Sequence, residues 1–122
     1  ALQLINFWQD PTRDIPRRRY YFTADDCARF GVTQADLLAL RQTPNATKLI
    51  ADCAHWAGAT MLKGSKLVHS VPGRAGWELR LVVQGGLRIL DHIQAQGYTT
   101  LQTRPVVGKR DVPVMLWRAL RM

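Results

Sequence analysis

An all-α helical bundle is the fold that this sequence predicts, on three observations. Apolar residues recur near a 3.6-residue period through residues 46–71 and 74–96, whereas the alternation of a half-buried strand is scarce. Helix-opening residues precede apolar-periodic segments: Thr23 stands three before Asp26, and Thr33 three before Asp36. Glycines stand where such segments stop, at Gly31 and Gly97, because a chain leaving a helix often passes through the left-handed region.

Taken in order, Ala1 to about Asp10 reads as a helix entered part-way. Pro11 and Pro16 mark a break, and Asp14 to Phe22 read as a basic, aromatic loop. Thr23 opens a short helix through Phe30, and Thr33 opens another to about Gln42, which Pro44 ends. A long helix follows from about Ala46 to Val71. Gly58 and Gly64 each weaken it by ~1 kcal/mol relative to Ala, so tertiary packing must compensate. Pro72-Gly73 is a turn. The next helix, from about Arg74 to Gln96, is apolar almost all round between Leu79 and Leu90 and should sit centrally, with Gly85-Gly86 permitting close approach of a helix or ligand. Residues 98–108 form a connector, and about Lys109 to Arg121 a last amphipathic helix. Such elements pack as an antiparallel bundle.

The 122 residues suffice for one domain, expected to span the whole chain, 1–122. The 17 Lys and Arg against 9 Asp and Glu give a net charge of +8, which favours anionic partners: nucleic acid, anionic lipid or a phosphorylated small molecule. Cys27 and Cys53 have no Cys or His at metal-ligand spacing and read as free thiols of a reducing compartment. No signal peptide or transmembrane run is visible, so a cytoplasmic location is expected, with contact at the membrane periphery as an addition. The chain starts at Ala1 inside an apolar pattern, which reads as a fragment or a processed product.

Chemistry concentrates near the start. On a helix Gln3, Asn6, Asp10 and, if the helix persists, Asp14 fall on one face. Two carboxylates four apart repel, and a hard divalent cation removes that repulsion. Mg²⁺ takes one or two carboxylates and shares its other positions with water and phosphate. Arg17, Arg18, Arg19, Tyr20 and Tyr21 follow directly, and arginine forks suit phosphate oxygens. A lone pair of aspartates is ordinarily a solvated acidic face, and a lone arginine run an ordinary surface. The order of polar stripe, paired Asp, then Arg and Tyr is what points to a metal–diphosphate site.

The run Asn6-Phe7-Trp8-Gln9-Asp10, then Asp14, Arg17, Arg19 and Tyr21, resembles the second aspartate-rich motif of squalene/phytoene synthases. The segments Phe30-Gly31-Val32, Asp36-Leu37, Glu78–Asp91, Gly97-Tyr98 and Arg104 to Lys109 extend the resemblance along the chain. Asn6–Asp10 and Val83-Gln84-Gly85-Gly86 resemble the bacterial hopanoid-pathway branch, which makes hydroxysqualene, most of all. The resemblance implies the C-terminal portion of an isoprenoid synthase fold. It implies a Mg²⁺-dependent transferase acting on farnesyl-type or presqualene diphosphate to give squalene, hydroxysqualene or phytoene-type products. Asp10 and Asp14 would be catalytic metal ligands with Asn6, and Gln3, Asn6, Arg17, Arg19, Tyr21 and Arg104 would bind the substrate. An N-terminal half with the other aspartate cluster would be the missing partner, leaving this chain inactive alone. Apolar surface from Leu4, Phe7, Trp8 and the Leu79–Leu90 helix would be uncovered and favour a homo-oligomer. Four positions depart from the family pattern. Arg18 replaces a usual Gly, Gln9 a common Arg, Gly86 a Tyr of some members, and Pro11 lies between the two aspartates. Two other classes remain open. A basic nucleic-acid-binding module fits the charge, but the cations are not gathered on one helix. A membrane-peripheral module fits the last helix, with Leu116, Trp117 and Leu120 beside Lys109, Arg110, Arg118 and Arg121.

Overall fold

The computed structural model describes all 122 residues, Ala1–Met122, and contains helices and turns with no strand. The α-helices are α1 (Leu2–Gln9), α2 (Pro11–Asp14), α3 (Ala24–Phe30), α4 (Gln34–Leu38), α5 (Pro44–Gly64), α6 (Gly73–Ala95) and α7 (Val112–Leu120). Short 3₁₀ turns cover Ile15–Arg17, Ser65–His69 and Lys109–Asp111. The long helices α5 and α6 form the frame. Helix α1 packs on both, α3 on α5, and α7 on α6.

Eight residues are too few for a stable isolated helix, so α1 exists through its packing. Ile5 is fully buried and Trp8 nearly so, against the α5 residues Leu49, Ile50, Cys53, Ala57 and Met61. Each large side chain buried this way contributes about 1.5–3 kcal/mol. Gly86 lies where α1 meets α6: a Cβ there would lie 2.9 Å from Met61 Cε and 3.0 Å from Leu2 Cδ2, side-chain tips that would have to shift. The neighbouring Gly85 faces α7 instead, near Met115.

Several element ends differ from the sequence reading. Thr43 caps the backbone N–H of Ala46 at 3.0 Å, and Pro44 takes the first helical position. Pro44 therefore opens α5 rather than closing α4, since its missing N–H is not needed there. Helix α4 stops earlier, at Leu38, because Leu40 turns left-handed (φ 52°) and Arg41 N–H bonds back to the Asp36 carbonyl at 2.8 Å. Helix α5 stops at Gly64 and tightens into the 3₁₀ turn, so it does not reach Val71. The last helix likewise begins at Val112, after a 3₁₀ turn. The caps at Thr23 and Thr33 form, and Thr33 with Asp36 completes the reciprocal box. Trp8 is not part of an uncovered face: it is 4 % exposed. Within Leu79–Leu90, Val83 is buried and Val82 is open, so α6 is covered on several sides but not all. Both cysteines are free; burial, aided by Asp26 and Asp52, pushes the Cys53 thiol up to about 12.

Candidate functional site

Helix α1 divides its faces sharply. Ile5, Trp8 and Gln9 point into the bundle, whereas Gln3 and Asn6 are exposed and Asp10 is half-buried at the end of the same polar stripe. The Asp10 N–H still bonds to the Asn6 carbonyl at 3.0 Å, and the Asp14 N–H to the Asp10 carbonyl at 2.8 Å. The helix itself breaks at Asp10 (φ −107°, ψ 19°), between α1 and α2, and single i to i−4 bonds reach up to and on from the break. The proline sits at the first position of α2, where it costs little, and Asp14 stays one turn beyond Asp10.

The chain then reverses tightly. Arg18 N–H bonds to the Ile15 carbonyl and Arg19 N–H to the Asp14 carbonyl, both at 2.9 Å, with Arg18 left-handed at φ 58°. This is the double closure that usually carries glycine at its left-handed position. Arg18 stands in the place where the motif usually has Gly, and the backbone there has the conformation that glycine adopts freely. Arg17, Arg18 and Arg19 are all exposed, and none has a carboxylate within ion-pair range. Tyr21 stacks flat on Phe7, ring centroids 3.8 Å apart, beside the polar stripe.

Arg104 comes from the far end of the chain. Its Nε donates to Asp10 Oδ1 in a half-buried ion pair. One residue on, the Pro105 carbonyl accepts a 2.7 Å hydrogen bond from buried Gln9 Nε2. Two adjacent residues of α1 therefore hold two adjacent residues of the connector. Gln9 was a departure from the motif in sequence terms, and its role as a clamp was missed. The available signal was its spacing: Gln9 is four residues past Ile5, on the buried side. Asp14 carries no ion pair, and Asp10 carries only this one. No three His, Cys, Asp or Glu side chains come together, so the acidic donors here amount to the Asp10–Asp14 pair.

A groove of about 570 Å³ has one apolar wall of Leu4, Phe7, Trp8, Tyr21, Cys53 and Trp56 and is completed by Thr23, Asp26, Arg29 and Asp52.

A second polar centre was not foreseen. Asp111 is buried and accepts from Arg88 Nε at 2.6 Å and the Gly108 N–H at 2.8 Å, with His92 Nε2 2.8 Å away. The Gly108 N–H, the Arg88 guanidinium and the His92 ring hold its carboxyl down at about 2, against the opposing effect of burial. Arg118 adds a 2.6 Å bond to Asp91, so α6 and α7 are tied by a chain of charges. Arg88 and His92 are four apart on one face of α6, but nothing in the sequence pairs them with Asp111.

Fold and site together define an all-α protein that sets paired carboxylates beside unpaired arginines. The chain belongs to the squalene/phytoene synthase family, whose profile matches residues 1–111. It is 35 % identical over 105 residues to a phytoene synthase of Thermus thermophilus, covering 85 % of this chain and 36 % of that protein. The chain thus spans about a third of the length of the curated relative it matches.

Proposed function

We propose that this chain supplies one wall of a Mg²⁺-dependent site that ionises a farnesyl-type or presqualene diphosphate, within a transferase making squalene, hydroxysqualene or phytoene-type products. The observation that carries the reading is the polar stripe of α1. Asp10 ends it, Asp14 follows one turn on at the end of α2, Arg104 is delivered to Asp10, and Arg17 and Arg19 follow without partners. The donor set fits a hard divalent cation: two carboxylates and the exposed Asn6 amide, with open space for water and phosphate oxygens. When bound, Mg²⁺ would offset negative charge on the leaving diphosphate.

The residues of the chain do the rest. Heterolysis of the C–O bond to the diphosphate, allylic in a farnesyl-type substrate and cyclopropylcarbinyl in presqualene diphosphate, leaves a carbocation and a diphosphate of about three negative charges. Arg17, Arg19 and Arg104 neutralise the diphosphate, Gln3 and Asn6 hydrogen-bond to it or to its waters, and the Tyr21 hydroxyl reaches the same oxygens. Asp10 keeps Arg104 in place until the anion competes for it. The apolar wall of the groove, with Leu4, Phe7 and Trp56, receives part of the prenyl tail.

Thermal shift with Mg²⁺ and a non-hydrolysable farnesyl diphosphate analogue, set beside duplex DNA, tests the reading. Stabilisation by the analogue should require Mg²⁺. Asp14→Asn, which breaks no ion pair, should abolish the Mg²⁺-dependent stabilisation, and Arg104→Ala should weaken binding about ten- to a hundredfold. Stabilisation by DNA and none by the analogue would favour a nucleic-acid-binding module instead.

A further inference from the structure

We propose, on the diphosphate reading given above, that Gln9 is a positioning residue: it fixes the backbone beside Arg104 so that the guanidinium meets the anion. Arg104 lies in a stretch with little structure of its own. Residues 103–108 are neither helix nor strand, and residues 104–107 make no backbone-to-backbone hydrogen bond. Side-chain amides take that place. Gln9 Nε2 donates to the Pro105 carbonyl at 2.7 Å, and Gln96 Nε2 donates to the Thr103 carbonyl at 2.8 Å. The two carbonyls flank Arg104, one on each side. The glutamines come from different elements: Gln9 ends α1, and Gln96 directly follows α6. Gln9 is the firmer anchor. It is 5 % exposed and Pro105 is buried, so water does not replace the bond, whereas the Gln96 bond lies open to solvent.

With its amide spent on Pro105 inside the bundle, Gln9 acts through Arg104 and not on the anion itself. The ion pair of Arg104 with Asp10 holds the guanidinium in the free chain. It cannot do so in the working state, because Asp10 is then a metal ligand and Arg104 turns to phosphate. The bond from Gln9 to Pro105 joins a neutral amide to a neutral carbonyl, and neither is called on by metal or anion. Arg104 can therefore change partner while its backbone stays where it is. A side chain presented this way reaches the anion without the cost of ordering a loop. A connector free to shift by about 1 Å would misplace the guanidinium and weaken its grip.

The test measures binding, not turnover, in the full chain. Calorimetry with Mg²⁺ and the non-hydrolysable farnesyl diphosphate analogue supplies the affinities for a double-mutant cycle. Gln9→Met keeps the length of the side chain and removes the donor. It should weaken binding about ten-fold where Arg104 is present, and less than about two-fold in Arg104→Ala, since Gln9 acts through that residue. A role in the fold alone would cost the same in both backgrounds. Equal losses in the two backgrounds, or no loss in either, would overturn the proposal. If Gln9→Met unfolds, NMR of the unaltered chain decides. On adding Mg²⁺ and the analogue, the Arg104 Nε–H resonance should move as its partner changes, while the Gln9 side-chain amide stays in place and slow to exchange. A Gln9 amide released on binding would overturn the proposal. Absence of analogue binding by the unaltered chain is a different failure, that of the diphosphate reading. Gln9 is then judged without ligand: the Arg104 Nε–H should exchange more slowly in the unaltered chain than in Gln9→Met, and equal rates would overturn the positioning role.

Discussion

Arg18 holds a left-handed backbone that its own Cβ opposes by roughly 1–2 kcal/mol. Glycine would remove that strain but add about 0.5–1 kcal/mol of unfolded-chain entropy to be lost on folding. Arg18→Gly is therefore expected to stabilise the chain by up to about 1 kcal/mol, read as a rise of a few degrees in Tm. Asp111 gives a residue-scale prediction of a different kind. Its carboxyl is depressed to about 2 in the fold and returns to the ordinary range, near 3.8, on unfolding. The unfolded chain then binds more protons between these values, so stability falls as pH drops. The contribution of Asp111 is complete above about pH 4 and lost as pH falls through about 2. Thermal unfolding between pH 5 and 2 should be steeper in the native chain than in Asp111→Asn. Equal slopes would show that the carboxylate is not held by the Gly108–Arg88–His92 cluster.

Two glycines show how the surroundings of a helix override its propensities. Gly76 lies in the first turns of α6, where the chain doubles back from Val71, and a Cβ there would run into the Val71 carbonyl oxygen. Gly64, at the end of α5, has φ −79° and open space around it. Propensity alone favours Ala at both by ~1 kcal/mol. Urea denaturation should separate them: Gly64→Ala gains up to about 1 kcal/mol, and Gly76→Ala loses about 2 kcal/mol because backbone, unlike a side-chain tip, cannot move aside. The same distinction explains what was legible in the sequence. The starts of α3 and α4 were readable because Thr23 and Thr33 cap through their own side chains. The end of α3 was readable because Gly31 occupies its left-handed position. The end of α4 was not, because Leu40 takes that conformation with no compositional sign, and Thr43-Pro44 reads equally as a stop and a start. The polar stripe of α1 was visible from spacing. The partners that Gln9, Asp10 and Asp111 find lie 96, 94 and 23 residues away, and no local pattern encodes them.

For the molecule as a whole, the proposed chemistry requires a diphosphate to be gripped from more than one side. This chain offers one carboxylate pair and one bank of arginines, and it spans 36 % of its curated relative. The purified chain with Mg²⁺ and labelled farnesyl or presqualene diphosphate is expected to give no turnover. Activity should appear on adding a polypeptide that carries the family's other aspartate cluster. Turnover by the chain alone would show that one wall suffices. The paired bonds from Gln9 to Pro105 and from Asp10 to Arg104 have a further consequence, for synthesis rather than catalysis. A ribosome releases residues 9 and 10 long before residues 104 and 105, and α1 alone is too short to persist. Helix α1 must therefore wait, its apolar side open to chaperones, until α5 and α6 have been made, and Gln9 and Asp10 wait longer still, for the connector. Assembly of the site thus waits for the connector, although its Asp10 is translated 94 residues before Arg104. A nascent chain arrested before Pro44 should bind a holdase that the completed chain no longer binds.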